Sequence, residues 1–196
     1  MKKLILVRHG ETQRDKRNPD RKLTSQGIEQ TRDLSRRLVQ YINGKIRILH
    51  TPSLRAAQTA EIIAKQLAGY DIKPKLSTIK ARVRNIDAMG TEIRKGKEAG
   101  TKPAETYLHK HSRFPSVETP QQFVARIESA IKSIIEETVL IVSHEGSLEA
   151  LFYSTTVFET KYKNFDRYFS YSDFAVLHRR EDVSIIPNIY RKEGAQ

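Results

Sequence analysis

The chain has 196 residues, which suits one domain with a single core and leaves little room for a second large domain. It contains no cysteine, which excludes disulfides, thiolate metal sites and a cysteine nucleophile. Its formal net charge of +12 fits a polyanionic partner, an anionic small substrate or a solvated basic surface; because the basic residues are scattered and interleaved with acidic ones, the solvated surface is favoured.

The first predicted element is a strand over residues 3–7, and Arg8, His9 and Gly10 follow it directly in the stretch LVRHGET. The apolar run LILV is shorter than the ~7–15 residues of a signal-peptide core. No run approaches the ~18 apolar residues of a membrane span, so we expect a cytoplasmic protein with no membrane partner. Charge at the end of a buried strand is costly unless an anion meets it, so this stretch predicts an anionic ligand.

The later elements alternate between helices and strands. Helical periodicity predicts helices over 24–42 and 53–67, and a capping-box pattern with a proline in the first turn predicts a third beginning at Thr119. Short apolar runs predict further strands over 46–50, 139–143, 174–178 and 183–189. This alternation predicts a three-layer α/β/α fold with a mostly parallel central sheet, whose ligands bind at the carboxyl ends of the strands.

Residues 76–118 lack clear periodicity and contain glycine, proline and many charges. We expect this segment to be a lid or insert over the sheet edge. No linker or internal repeat interrupts the sequence, so we expect residues 1–196, including this segment, to form one domain.

Two histidines stand at the ends of predicted strands: His9 after the first strand, and His144 after the run TVLIVS. Arg55 lies in the first turn of the helix that follows another strand. If these strand ends meet, Arg8, Arg55 and the two imidazoles form a site that attracts anions, and a phosphoryl group suits the forked guanidinium. The residues alone do not choose between His9 and His144 as a nucleophile.

Five stretches carry a family resemblance: LVRHGET, DRKLTSQGIEQT, TPSLRAAQTAEIIA, ETPQQFVARI and VLIVSHEG. Their order and spacing resemble those of the histidine phosphatase superfamily, the phosphoglycerate mutase-like group. The resemblance implies the phosphoglycerate mutase-like fold. It implies the activity of a phosphatase that uses neither a metal nor another cofactor. It also implies that the substrate is a phosphorylated small molecule or a phosphohistidine protein.

The resemblance assigns roles to four residues. His9 is implied to attack phosphorus and to carry the phosphoryl group as a phosphohistidine, which water then hydrolyses. Arg8 and Arg55 are implied to hold the equatorial oxygens, with His144 as a further donor.

The sequence departs from the family where many members carry a glutamate that serves as general acid and base. The stretch here is ARVRNIDAMG, with Asn85 in the place of the glutamate, and an amide cannot donate a proton in this way. Three explanations are open: Asp87 or Glu92 supplies the proton, the leaving group needs little protonation, or the protein is a poor catalyst. We expect Asn85, Glu145 and Gly146 to contact the substrate.

A second departure follows the first motif, where family members have an asparagine and this chain has Asp15, with Asn18 beyond it. A carboxylate beside a bound phosphate repels it, so this departure and the short insert argue against a sugar-phosphate mutase.

Two other classes of function stay open beside the phosphatase. One is a regulatory module that binds phosphate or a phosphoprotein but catalyses weakly. The other is a basic protein associated with nucleic acid, which no recognisable nucleic-acid-binding motif supports.

Overall fold

The computed structural model describes residues 3–13, 20–101, 103–155, 157–164 and 169–179. The strand predicted over 183–189 lies outside these ranges. In chain order the strands and α-helices are β1 Lys3–Arg8, α1 Ser25–Leu38, β2 Lys45–His50, α2 Leu54–Ala68, β3 Lys73–Thr78, α3 Gly90–Glu98, α4 Pro103–Lys110, α5 Pro120–Lys132, β4 Thr138–Ser143, α6 Glu145–Ser154, β5 Phe158–Lys163 and β6 Phe174–Arg179.

The strands form one sheet in the order β3-β2-β4-β1-β6-β5. The four strands from β3 to β1 are parallel, while β6 runs antiparallel to both β1 and β5. In the central pair Leu6 lies opposite Ile141, and Arg8 lies opposite Ser143. The sheet therefore confirms the predicted mostly parallel α/β fold and brings the carboxyl ends of β1, β4 and β2 to one edge.

Helices cover both faces of the sheet because its central strands are apolar on both sides. Leu4 and Leu6 of β1 pack into one core cluster with residues of α5 and α6. Ile5 and Val7 point the other way and pack with residues of α1 and α2. This alternation produces the three layers that the sequence predicts.

The three predicted helices are confirmed. The first begins after its cap Thr24 and ends at Leu38, with a 3₁₀ turn over Val39–Tyr41 completing the predicted range. In α5 the hydroxyl of Thr119 accepts from the amide of Gln122, and the Gln122 side chain accepts from the amide of Thr119. Pro120 occupies the first turn, as the capping pattern predicts.

The segment over 76–118 is more ordered than its sequence pattern suggests. After β3 it contains α3, α4 and short 3₁₀ turns. Met89, Tyr107 and Val117 are buried and pack with the α5 and α6 cluster. No helix in the described part of the chain is long and apolar enough to cross a membrane.

Candidate active site

The sheet topology brings both histidines to one place. Because β1 and β4 are parallel and Arg8 lies opposite Ser143, the residues that follow, His9 and His144, leave the sheet side by side. Their ring centroids are 5.2 Å apart in an edge-on arrangement. Arg55 reaches them from the first turn of α2, which follows the neighbouring strand β2.

The loop after β1 is held against α1 by two glycines. A Cβ added to Gly10 would lie 2.5 Å from the carbonyl oxygen of Gly27, and one added to Gly27 would lie 2.2 Å from the carbonyl oxygen of Glu11. The amide of Gly10 also donates to the hydroxyl of Thr59 at 3.2 Å. These contacts require glycine at both positions and fix the backbone beside His9.

The hydrogen bonds of His9 define which ring nitrogen carries its proton. Nδ1 lies 2.8 Å from the carbonyl oxygen of Gly10, an acceptor, so Nδ1 carries the hydrogen. Nε2 accepts from Nε of Arg55 at 3.2 Å and is the nitrogen with a lone pair. Burial, and then the neighbouring imidazole of His144, lower the pKa of His9 well below its ordinary value; the charges of Arg55 and Arg8 add to this, and the Gly10 carbonyl opposes it. His9 is therefore a neutral imidazole at pH 7.

His144 is held by α2 and the loop before it. Its Nδ1 lies 3.4 Å from Nη2 of Arg55, and its Nε2 lies 3.3 Å from the Thr51 hydroxyl and 3.4 Å from the Ser53 hydroxyl. Burial, followed by the charge of Arg55 and then of other arginines, lowers the pKa of His144 to about 3. It too is neutral at pH 7, so Arg55 donates hydrogen bonds to both imidazoles.

Arg8 is oriented from three directions. Its Nη1 donates to the carbonyl oxygen of Phe169 at 2.5 Å and lies 3.1 Å from Oε2 of Glu145. Its guanidinium carbon lies 4.5 Å from the centroid of the Tyr171 ring. The amide of Phe169 in turn donates to the buried carboxyl of Glu149 at 3.2 Å. The position of this guanidinium is therefore set before any ligand binds.

A cavity of about 620 Å³ opens from these residues. We call Arg8, His9, Arg55 and His144 the histidine cluster, which lines the cavity together with Glu145 and Gly146. Three further cations also line the cavity, namely Arg21, Lys80 and Arg82, which we call the cationic rim. Two neutral imidazoles among guanidinium groups suit a tetrahedral anion, with Nε2 of His9 as the available nucleophile.

Three other predicted site residues lie away from the cavity. Asn85 is exposed, has a left-handed backbone with φ of 55°, and donates from Nδ2 to the carbonyl oxygen of Ser116 at 2.8 Å. Asp87 is 83% exposed and pairs with Arg82 at 2.7 Å. Glu92 pairs with Lys110 at 3.1 Å.

None of Asn85, Asp87 and Glu92 lines the cavity. Within the described ranges, the carboxylates that do line it are Asp20 and Glu145. Asp15 and Asn18 lie outside the residues that the structure describes.

Several lining residues were missed by the sequence reasoning, namely Thr51, Ser53, Asp20 and the cationic rim. Thr51, Ser53 and Arg21 lie inside quoted motifs, so their proximity to a predicted site residue was an available signal. Arg82 lies in the quoted stretch ARVRNIDAMG, three residues before Asn85, and Lys80 directly precedes that stretch, so proximity to a predicted site residue was a signal here too.

Comparison with known proteins gives a family match over most of the chain. The model of the histidine phosphatase superfamily (branch 1) matches residues 4–180. No curated protein sequence matches the chain.

Solved structures match across about three quarters of the chain. A mycobacterial glucosyl-3-phosphoglycerate phosphatase in complex with inorganic phosphate has a TM-score of 0.53 at 16% identity, covering 77% of this chain and 77% of that one. A structure described as mycobacterial hydrolase 1 has a TM-score of 0.51 at 16% identity, covering 76% and 78%. At a sequence identity of 16%, these structural matches show that the fold is shared.

Proposed function

The chain belongs to the histidine phosphatase superfamily, and from this premise we propose that it hydrolyses a phosphoric monoester or a phosphohistidine through a phosphoryl group carried on His9. The observation that carries the proposal is the state of His9. Its imidazole is neutral, and its unprotonated Nε2 accepts a hydrogen bond from Arg55 beside a second guanidinium, that of Arg8. A lone pair next to two fixed cations suits attack on a phosphoryl group.

In the first step, Arg55 moves its hydrogen bond from Nε2 of His9 to the phosphoryl group, and Nε2 forms a bond to phosphorus as the bond between phosphorus and the leaving atom breaks. The leaving atom keeps the bonding electron pair and takes a proton if its basicity requires one. Arg8, Arg55 and His144 donate hydrogen bonds to the non-bridging oxygens, on which negative charge increases in the transition state.

In the second step, water attacks phosphorus, the bond between phosphorus and nitrogen breaks, and inorganic phosphate leaves. The lone pair of Nε2 is thereby restored. The guanidinium groups supply the positive charge that a metal ion supplies in other phosphotransferases, so we propose that the reaction needs neither a metal nor another cofactor.

The leaving group's need for a proton narrows the choice of substrate class. Asn85 cannot act as a general acid and bonds to Ser116, while Asp87 and Glu92 pair with Arg82 and Lys110 and do not line the cavity. General acid assistance is typically worth ~10²–10⁴ in rate, which matters most for alkyl esters. We therefore favour leaving groups that depart with little protonation, such as those of phosphohistidine and aryl or acyl phosphates.

The position of Asn85 also supports a second candidate, a module that binds a phosphorylated ligand and turns it over poorly. Calorimetric binding of phenylphosphonate, together with failure to hydrolyse both phenyl phosphate and phosphohistidine, would favour this candidate over the enzyme.

The test of the phosphatase uses the variant His9→Ala with phenyl phosphate and phosphohistidine as substrates. We expect loss of turnover and loss of acid-labile ³²P labelling, while phenylphosphonate still binds because Arg8 and Arg55 remain. Lys65→Gln, an exposed change on α2, is the matched control and should keep both signals. Unchanged activity in His9→Ala would exclude the proposed mechanism.

A further inference from the structure

Part of the cavity wall is apolar. Val83, Ile86, Ile93 and Tyr107 all line the cavity, and we call these four residues the apolar wall. They belong to the segment between β3 and α5, and the proposed reaction uses none of them. A phosphoryl group binds through charge and hydrogen bonds, so we expect the apolar wall to contact another part of the ligand.

The aliphatic residues of the wall are less exposed than the cations next to them in sequence. Val83 is only 4% exposed, and Ile86 and Ile93 are half-buried and pack against the core cluster beside α5 and α6. Lys80 and Arg82, by contrast, are exposed. A ligand that fills the cavity therefore exchanges water for contact with aliphatic side chains, while these two cations stay at the solvent edge.

Glu118 binds both ends of the apolar wall. The hydroxyl of Tyr107 donates to the carbonyl oxygen of Glu118 at 2.8 Å, and the amide of Arg84, next to Val83, donates to Oε2 of Glu118 at 3.0 Å. Tyr107 carries the only polar side-chain atom of the wall. Since that hydroxyl is already bound, the wall presents apolar surface to a ligand.

The main chain that leads into the wall is fixed before any ligand binds. Arg126 donates from Nη1 to the carbonyl oxygen of Lys80 at 2.6 Å and from Nη2 to that of Arg82 at 3.1 Å. Between them, the Ser143 hydroxyl donates to the carbonyl oxygen of Ala81 at 2.6 Å. These contacts from α5 and β4 mean that the wall needs little ordering when a ligand binds.

The apolar wall discriminates among the leaving groups that the proposed reaction favours. Phosphohistidine and acyl phosphates place an imidazole nitrogen or a carbonyl oxygen next to phosphorus, and the wall has no free group to bond either one. An aryl phosphate presents a phenyl ring, whose burial against aliphatic side chains is favourable. The cavity volume of about 620 Å³ leaves room for a substituted ring beside the phosphoryl group.

We propose that the apolar wall is a subsite for the leaving group, and that the substrate is an aryl phosphate whose ring packs against Ile86 and Ile93. This inference rests on the proposed phosphatase function and names the substrate class of the same site. A small phenol ester and a phosphotyrosine side chain both present such a ring, so the shared chemistry is a phosphorylated phenol.

The experiment compares phenyl phosphate with 4-propylphenyl phosphate, because a para alkyl group changes the acidity of the phenol little. We expect the wild type to prefer the propyl compound by about tenfold in kcat/KM, which burial of about two methylene groups allows. In the double variant Ile86→Thr/Ile93→Thr, which keeps the branching at Cβ, this ratio should fall close to one. Ile135→Thr, the same change at a side chain that is 87% exposed and outside the cavity, is the matched control and should keep the ratio.

A further substrate separates small phenol esters from phosphotyrosine. N-acetylphosphotyrosine amide has the same ring, but its para substituent ends in two amide groups, which the apolar wall cannot bond. We expect 4-propylphenyl phosphate to exceed it in kcat/KM, which assigns the subsite to a small apolar phenol ester. The reverse order assigns the subsite to phosphotyrosine.

Two results would overturn the subsite: a wild-type ratio near one, or an unchanged ratio in the double variant. If urea titration shows that the double variant does not fold, the single variants Ile86→Thr and Ile93→Thr replace it, and each should lose part of the ratio.

If the protein turns over neither aryl phosphate, the proposed function fails. The subsite is then tested alone by calorimetry with phenylphosphonate and 4-propylphenylphosphonate. Equal affinities would reject the subsite, whereas a tenfold difference that the substitutions at Ile86 and Ile93 abolish would support it.

Discussion

The side chain of Asn85 donates a hydrogen bond to the carbonyl oxygen of Ser116 at 2.8 Å, so the residue that the resemblance assigns to the place of the family's glutamate binds main chain outside the cavity. Its backbone is left-handed, with φ of 55°, a conformation that asparagine tolerates better than most residues. The residue is therefore adapted to a local structural contact.

We predict that Asn85→Glu does not create an efficient phosphatase for alkyl esters. A carboxylate cannot donate to the Ser116 carbonyl, and glutamate is disfavoured in the left-handed region, so unfolding should become easier by about 1–2 kcal/mol. The change in kcat for an alkyl phosphate should stay below about tenfold, short of a general acid's contribution. Asn85→Gly, which keeps the backbone and loses the hydrogen bond, separates the two causes; a rise in kcat above about a hundredfold in Asn85→Glu would contradict the prediction.

We predict that Gly27→Ala impairs both stability and activity. The added Cβ would lie 2.2 Å from the carbonyl oxygen of Glu11, so the loop that carries His9 must shift away from α1. We expect a loss of about 1–3 kcal/mol in unfolding free energy. We also expect kcat/KM for phenyl phosphate to fall by about tenfold or more. Gly90→Ala, where a Cβ meets open space, is the control and should behave as the wild type in urea titration and kinetics.

We predict that Arg126→Met is strongly destabilising because it leaves a buried carboxylate without its partner. Nε and Nη2 of Arg126 each donate to Glu118 at 2.7 Å, and the Glu118 side chain is only 7% exposed. Removing one member of such a pair typically costs about 3–5 kcal/mol. The double variant Arg126→Met/Glu118→Gln should recover part of this loss in urea titration. A single variant no less stable than the double one would show that the pair is not coupled.

We predict that His144 makes the protein less stable in acid. Its pKa is about 3 in the folded protein and near 6.5 in an unfolded chain, so between these values the unfolded state binds more protons. The unfolding free energy therefore decreases as the pH falls through this window, by up to about 1.4 kcal/mol per pH unit from this group. In His144→Gln the decrease measured by urea titration between pH 7 and pH 5 should be smaller; parallel curves for wild type and variant would refute the assignment.

The sequence identifies the centre of the fold because the central strands and the helices beside them have strong patterns. β1 and β4 are continuous apolar runs, and the capping box at Thr119 marks the start of α5. β3 and β5 were missed because they are the edge strands, with the polar sequences KPKLST and FETKYK. An edge strand buries too few side chains to show the periodicity of a core strand.

The same distinction applies to the candidate site. His9, Arg8, Arg55 and His144 are predictable because each ends a core strand, directly follows one or lies in the first turn of a core helix. Lys80 and Arg82 line the cavity from a loop whose carbonyl groups are bound by Arg126, which is distant in sequence. Asp87 and Glu92 are near Asn85 in sequence, but they pair with Arg82 and Lys110 and do not line the cavity.

Residues 80–82 are anchored through their carbonyl groups, so the conformation of this loop does not depend on the side chains that it presents to the cavity. Arg126 and Ser143 hold the main chain, and neither contact depends on which side chain occupies position 80 or 82. Substitutions at these positions can change the charge of the cavity wall without altering the hydrogen bonds that maintain the loop. Two positive charges of the cavity wall can therefore be removed or reversed while the backbone that carries them stays unchanged.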